Sequence, residues 1–264
     1  MSYVMPYLID KNRKGQMTMM LFTSILKSVA SRRDIKIFFG FIILPILVPF
    51  LSQTMDGARD NFGQSFLTFL DLTLVTQYRV ILPIMIFSLV ITSVFRDEID
   101  SGIMFLYKDI NRTKIFNAKI LSLFAIYGLY VLGTMVASLL AYYVLMVPSG
   151  DVSSNLFPAQ VADGGQSLVS ILSTVTLNLI TIVLVAMISI SSKTIQSVLS
   201  GVFFTLLVTV SPMLIGIRYL FPSGYVEMSH SNLGTALLLI VVLFLLYLGV
   251  CYIKGLQKFK KVEF

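Results

Sequence analysis

Ala236-Leu-Leu-Leu-Ile-Val-Val-Leu-Phe-Leu-Leu246 is the stretch that decides the fold. It does not alternate, and it lies inside a run, 228–253, that carries no Asp, Glu, Lys or Arg. A strand of a membrane barrel alternates lipid-facing and lumen-facing residues over about ten positions. Only helices and closed barrels satisfy their own backbone polar groups in lipid. The stretch therefore reads as a membrane-spanning helix.

Further charge-free runs cover 37–55, 72–78 with 80–95, 120–150, 164–192 and 194–217. A helical crossing takes roughly 20 apolar residues. We place six spans at about 37–53, 77–95, 121–146, 168–190, 196–216 and 233–253, the second with Arg79 inside its outer end. Composition agrees. Of 264 residues 56% are apolar and only 12% charged, about half the charge of a soluble domain. That excludes an ordinary soluble enzyme, a disordered chain and a disulfide scaffold. One cysteine, Cys251, and one histidine, His230, exclude an intrachain disulfide and a multi-histidine metal site built by one chain.

The 20 basic residues against 13 acidic ones give a net charge of +7, read first as topology and contact with anionic lipid, with no nucleic acid as partner. Seven lie before span one, five between spans two and three, Lys193 between spans four and five, and four after span six; only Arg59, Arg79 and Arg218 fall on the other side. By the positive-inside rule both termini are cytoplasmic, and the expected location is the cell membrane. Three regions follow: a cytoplasmic N-terminus 1–36, a transmembrane domain 37–253 and a basic tail 254–264. No secretory signal is expected ahead of span one.

Two patterned pieces flank the spans. In 16–33, Met17, Met20, Leu21, Ser24, Ile25, Ser28 and Val29 recur at helical spacing beside Lys27, Arg32 and Arg33. This predicts an amphipathic helix lying in the membrane interface, with its apolar face in the acyl boundary; the plainer reading is an extension of span one. After span two comes Phe95-Arg-Asp-Glu-Ile-Asp-Ser-Gly-Ile-Met-Phe-Leu-Tyr-Lys-Asp-Ile-Asn-Arg-Thr-Lys-Ile-Phe-Asn-Ala-Lys119. Ile99, Gly102, Ile103 and Leu106 share one helical face, with Asp97, Glu98 and Asp100 at its start, where the helix dipole favours negative charge. Asn111 to Thr113 reads as the cap of span three. Such a helix suits docking to a cytoplasmic partner; a solvated loop carrying topology-setting charge explains it equally.

This loop resembles the permeases of type-2 ABC exporters, in which an acidic residue after span two precedes a small-residue segment, an Arg-containing turn and a Lys opening span three. Glu98, Ser101-Gly102, Arg112 and Lys119 occupy those positions. Tyr107-Lys-Asp-Ile-Asn departs from the pattern, which more often has an apolar residue and Pro before the Arg. The resemblance implies an all-α membrane protein: six transmembrane helices, an N-terminal interfacial helix, a cytoplasmic coupling helix between spans two and three, and a re-entrant outer helix at 211–225 before span six. It implies ATPase-coupling roles for Glu98, Ile99, Gly102, Ile103, Leu106 and Arg112. It also implies two copies of an ABC ATPase, which bind the ATP and Mg, and a second permease, identical or homologous. This chain then holds no cofactor and is not itself an enzyme; it exports an amphipathic or hydrophobic cargo, with an antimicrobial or signalling peptide as the candidate.

Isolated residues carry two readings each. Arg79, roughly 10 Å along its helix, either faces the substrate path or reaches the headgroups beside Asp71. Asn178, with Ser173, Thr174, Thr176 and Thr181, either bonds between helices or lines a wet cavity. Pro45, Pro49, Pro83 and Pro212 imply kinks. Deep carboxylates of the kind that drive antiporters are missing from the other spans, as are phosphate-binding loops. The alternatives to an exporter are a six-span substrate-binding subunit of a modular vitamin importer and a non-transporting peptide-immunity membrane protein.

Overall fold

The computed structural model describes residues 19–52, 64–102, 110–149 and 152–262. Among them every regular element is helical and no strand occurs. Helix α1 spans Met19–Ala30, α2 Arg33–Gly40 and α3 Leu44–Ser52. Helix α4 is Phe66–Arg79 and α5 begins at Leu82–Thr92, running on through a π-helical turn to Asp100. Then come α6 Arg112–Leu140, extended by a π-helical turn to Met146, α7 Val161–Ser189, α8 Thr194–Val210 and α9 Leu233–Lys261.

Four helices are long and apolar enough to cross a membrane: Arg112–Met146, Val161–Ser189, Thr194–Met213 and Leu233–Lys261. They coincide with the third to sixth spans expected. The first and last of them start on local caps: the Asn111 side chain accepts from Thr113 N at 2.9 Å and Asn232 from Thr235 N at 3.1 Å, each satisfying an otherwise orphaned N–H.

The first two spans differ from expectation. The stretch expected as span one is two short helices, α2 and α3, joined by a 3₁₀ turn, Phe41–Ile43, with Pro45 and Pro49 in the second piece, and it forms no helix long enough to count as a crossing. The Gln77 amide donates to the Phe41 carbonyl at 3.1 Å, satisfying a carbonyl at the change of helical type. Span two is broken rather than continuous: α4 and α5 meet at 62°. Ile81 there has φ 61°, a left-handed conformation costly for a β-branched residue, and Pro83 follows in the first turn of α5, where its missing N–H is harmless. Counted as one bent span, this pair brings the total of long apolar crossings to five.

Helix α1 also differs in its surroundings. Leu21, Ile25 and Val29, at i, i+4 and i+8, are buried in the largest core cluster with Ile35 and Phe38 of α2. Its apolar stripe is thus covered by protein, while Met20 and Lys27 are exposed. Met17 lies outside the described residues. Between α8 and α9 the chain forms four short 3₁₀ turns, Ser211–Met213, Ile217–Leu220, Pro222–Tyr225 and Glu227–His230, in place of one re-entrant helix. Gly224 permits the tightest of these approaches, since a Cβ there would lie 2.0 Å from the Arg218 carbonyl oxygen.

Candidate functional site

The densest polar constellation is an ion cluster centred on Glu98. Arg32, between α1 and α2, places Nη2 3.0 Å from Glu98 Oε1, and Lys119 of α6 places Nζ 2.9 Å from Glu98 Oε2. Arg32 also donates through Nη1 to Ser93 Oγ, and Lys119 donates to the Val94 carbonyl at 2.7 Å. Exposure falls across the three, from 24% for Arg32 to 16% for Glu98 and 1% for Lys119. The Lys119 ammonium lies 5.2 Å from the Phe95 ring centroid and 5.8 Å from that of Phe259. Aromatic faces and a carboxylate together compensate a charge that could not otherwise be buried.

The cluster sits where it does because of how α5 ends. The sequence reading puts Asp97, Glu98 and Asp100 at the start of a new helix; they occupy the last turns of α5 instead. Gly102, with φ 70°, closes that helix and its N–H reaches the Ile99 carbonyl at 3.2 Å, the usual role of a glycine just past a C-terminus. The dipole there disfavours carboxylates. Arg32 and Lys119 on Glu98, and Arg96 on Asp100 at 2.8 Å, supply the positive charge that position lacks. Ile99 packs part-buried against the main core. Ile103 and Leu106 lie outside the described residues.

Arg112 stands apart from Glu98. Its Nη1 donates to the Lys260 and Val262 carbonyls, both at 2.6 Å, so the first residue of α6 ties down the C-terminal end of α9. At the same end of the bundle, Lys258 Nζ donates to Ser191 Oγ at 2.9 Å in the turn between α7 and α8. The basic residues before α2, at the start of α6, beside α8 and at the end of α9 are thereby gathered on one end of the molecule.

The two substrate-path candidates lie elsewhere. Arg79 is exposed at the end of α4 and forms no ion pair with Asp71, whose Oδ1 is buried without a hydrogen-bond partner among the described residues. Asn178 lies part-buried within α7. Its amide donates to the Thr174 carbonyl one turn back in the same helix at 3.0 Å. It also lines a small cavity of about 20 Å³ with Gln77 and Tyr130, room for about one water. His230 is exposed in the last 3₁₀ turn, and no group of three metal-ligating side chains occurs among the described residues.

Sequence reasoning singled out Glu98 and Lys119 but missed Arg32 as the second cation on Glu98 and Ser93 as the hydroxyl that accepts from Arg32. The only signal was the position of Arg32, one of two adjacent arginines just before an apolar helix. No protein-family model, curated protein or solved structure matches this chain. Fold and site define a class: an all-helical protein whose long apolar helices suit a multi-pass membrane protein, with a buried ion cluster at one end.

Proposed function

We propose that this chain is the permease subunit of an ATP-driven exporter. In this reading it crosses the membrane six times, the bent and broken helices before α6 making the first two crossings, and the end bearing Glu98 is cytoplasmic. It works with a second permease and with two ATPase subunits that bind ATP and Mg. The observation that carries the reading is the clamp on Glu98. A loop that only set topology would need no buried lysine. Here Arg32 and Lys119 hold the end of α5, which leads into residues 103–109, against both the N-terminal helix and α6. A force applied to that loop by a partner would pass directly into α1, α5 and α6, the rigid-body coupling that a transporter requires.

The test is capture of the full chain from its native membranes, with the retained proteins identified by mass spectrometry. An ABC ATPase is expected with the wild type. Ile103→Pro, which leaves the cluster untouched, is expected to cut its recovery at least about tenfold, as is Glu98→Gln, while membrane insertion and elution of the chain are unchanged. A wild type that retains no ATPase, or variants that retain it undiminished, would overturn the reading.

A further inference from the structure

At the end of the bundle away from Glu98, a second cavity of about 220 Å³ opens between α4, α7, the C-terminal end of α8 and the 3₁₀ turns. Its composition is divided. Val75, Leu177 and Val208 supply apolar wall, and Arg79 stands among the lining residues with no ion pair among those described. Glu227 also lines it but is paired with Arg218, which stands outside the lining, at 3.6 Å, so Arg79 is the lining charge left without an ion pair among the described residues. Two lining hydroxyls, Ser173 Oγ and Ser223 Oγ, are buried without a hydrogen-bond partner among the described residues, and Ser173 is only 2% exposed. Buried hydroxyls are as a rule paired; these two remain available to a polar guest.

The rim is apolar and open. Val80, Val210 and Met213, next in sequence to the lining residues Arg79, Thr209 and Pro212, are all exposed. We propose that this cavity binds the anionic headgroup of an acyl amphiphile, a phosphate or carboxylate. Arg79 is its counter-ion and Ser173 and Ser223 its hydrogen-bond donors; the chain leaves over the exposed apolar rim. The volume falls below the roughly 300–1,000 Å³ of pockets for drug-sized ligands, which admits a headgroup and excludes a folded peptide. Arg79, the lining charge without a partner, disfavours a cation. The apolar wall separates an amphiphile from a free anion, which gains nothing from Val75 or Leu177. The site needs only that the helices lie in a membrane, and so does not depend on the exporter reading.

Equilibrium binding of radiolabelled dodecyl phosphate to the purified full chain, held in a neutral maltoside detergent, tests it. Binding is expected to saturate, to weaken about tenfold or more in Arg79→Gln, as loss of a charge-assisted hydrogen bond predicts, and to stay within a few-fold in Arg79→Lys. Ser173→Val, nearly the same size, is expected to weaken it several-fold. Unlabelled dodecyl phosphate should displace the label where inorganic phosphate does not. Displacement by dodecanoate as well would assign the site to monoanionic headgroups in general, and its absence to phosphate. Wild-type affinity in Arg79→Gln, or equal displacement by inorganic phosphate, would overturn the proposal. If Arg79→Gln does not fold, Arg79→Lys and Ser173→Val decide it: binding lost in the lysine variant or unaffected by the valine would count against the site. None of these variants touches the Glu98 loop, so ATPase capture remains a separate result.

Discussion

Lys119 is the residue whose environment is least tolerant of change. It is almost wholly buried, and the described groups that balance its charge include the Glu98 carboxylate, the Val94 carbonyl and the Phe95 and Phe259 rings. Glu98 is different: it is partly exposed and has two cationic partners. Removing either member is therefore unequal. Glu98→Ala strands an ammonium in an apolar surround, which in general costs about 3–5 kcal/mol. Lys119→Met leaves Glu98 with Arg32 and with water, and puts an apolar side chain between Phe95 and Phe259, so it is expected to cost clearly less. The pair Glu98→Gln with Lys119→Met is expected to recover most of what Glu98→Ala loses. Thermal unfolding of the detergent-solubilised chain checks this order; equal losses from the two single variants would contradict it.

At the scale of elements, helix contact depends on small residues, because lipid-embedded helices gain little from burying more apolar surface. Gly201 of α8 shows it. A Cβ there would lie 2.5 Å from Ser88 Oγ of α5 and 2.8 Å from Val185 Cγ2 of α7, so α8 could not keep its place against either helix. Gly201→Ala is expected to destabilise by roughly 1–3 kcal/mol as overpacking does. Gly128 of α6 has nothing within 4 Å, and Gly128→Ala is expected to be neutral or to stabilise by up to about 1 kcal/mol through helix propensity. Opposite melting shifts for the two alanines would bear this out; similar shifts would refute the α8 contact. The same contrast explains what was legible. Helices α6 to α9 were readable because long charge-free runs have few other solutions in lipid. The breaks at 41–43 and 80–81 were not, since proline announces a kink without locating it and the partner that satisfies the Phe41 carbonyl, Gln77, lies 36 residues away. Nor could the orientation of α1 be read: a stripe of Leu21, Ile25 and Val29 looks alike whether lipid or protein covers it.

For the whole molecule, the sparse charge is sorted by end. Arg32, Arg96, Arg112, Lys119 and Lys258 meet partners on the Glu98 end, whereas Arg79 lines the cavity at the other, where Arg218 pairs with Glu227. Glu98 and Lys119 were legible as a pair of motif residues, but the cluster was not, because Arg32 joins it across 66 residues of chain. An asymmetry of this kind sets orientation during insertion, since basic residues near helix ends resist translocation. The Glu98 end should then face the cytoplasm, and one measurement decides it. Cys251, the sole cysteine, is buried and can be replaced by serine. In that background Ser154→Cys, exposed between α6 and α7, and Ser191→Cys, exposed between α7 and α8, sit at opposite ends of α7, whose 29 residues rise about 43 Å at 1.5 Å each, more than the roughly 30 Å of a hydrocarbon core. A membrane-impermeant maleimide added to intact cells is expected to label Ser154→Cys at once and Ser191→Cys only after permeabilisation. Labelling of both in intact cells would mean that α7 does not cross. The reverse pattern would put the Glu98 cluster on the outside, where no ATPase could reach it, and would remove the exporter reading while leaving the cavity at Arg79 to be judged on its own binding.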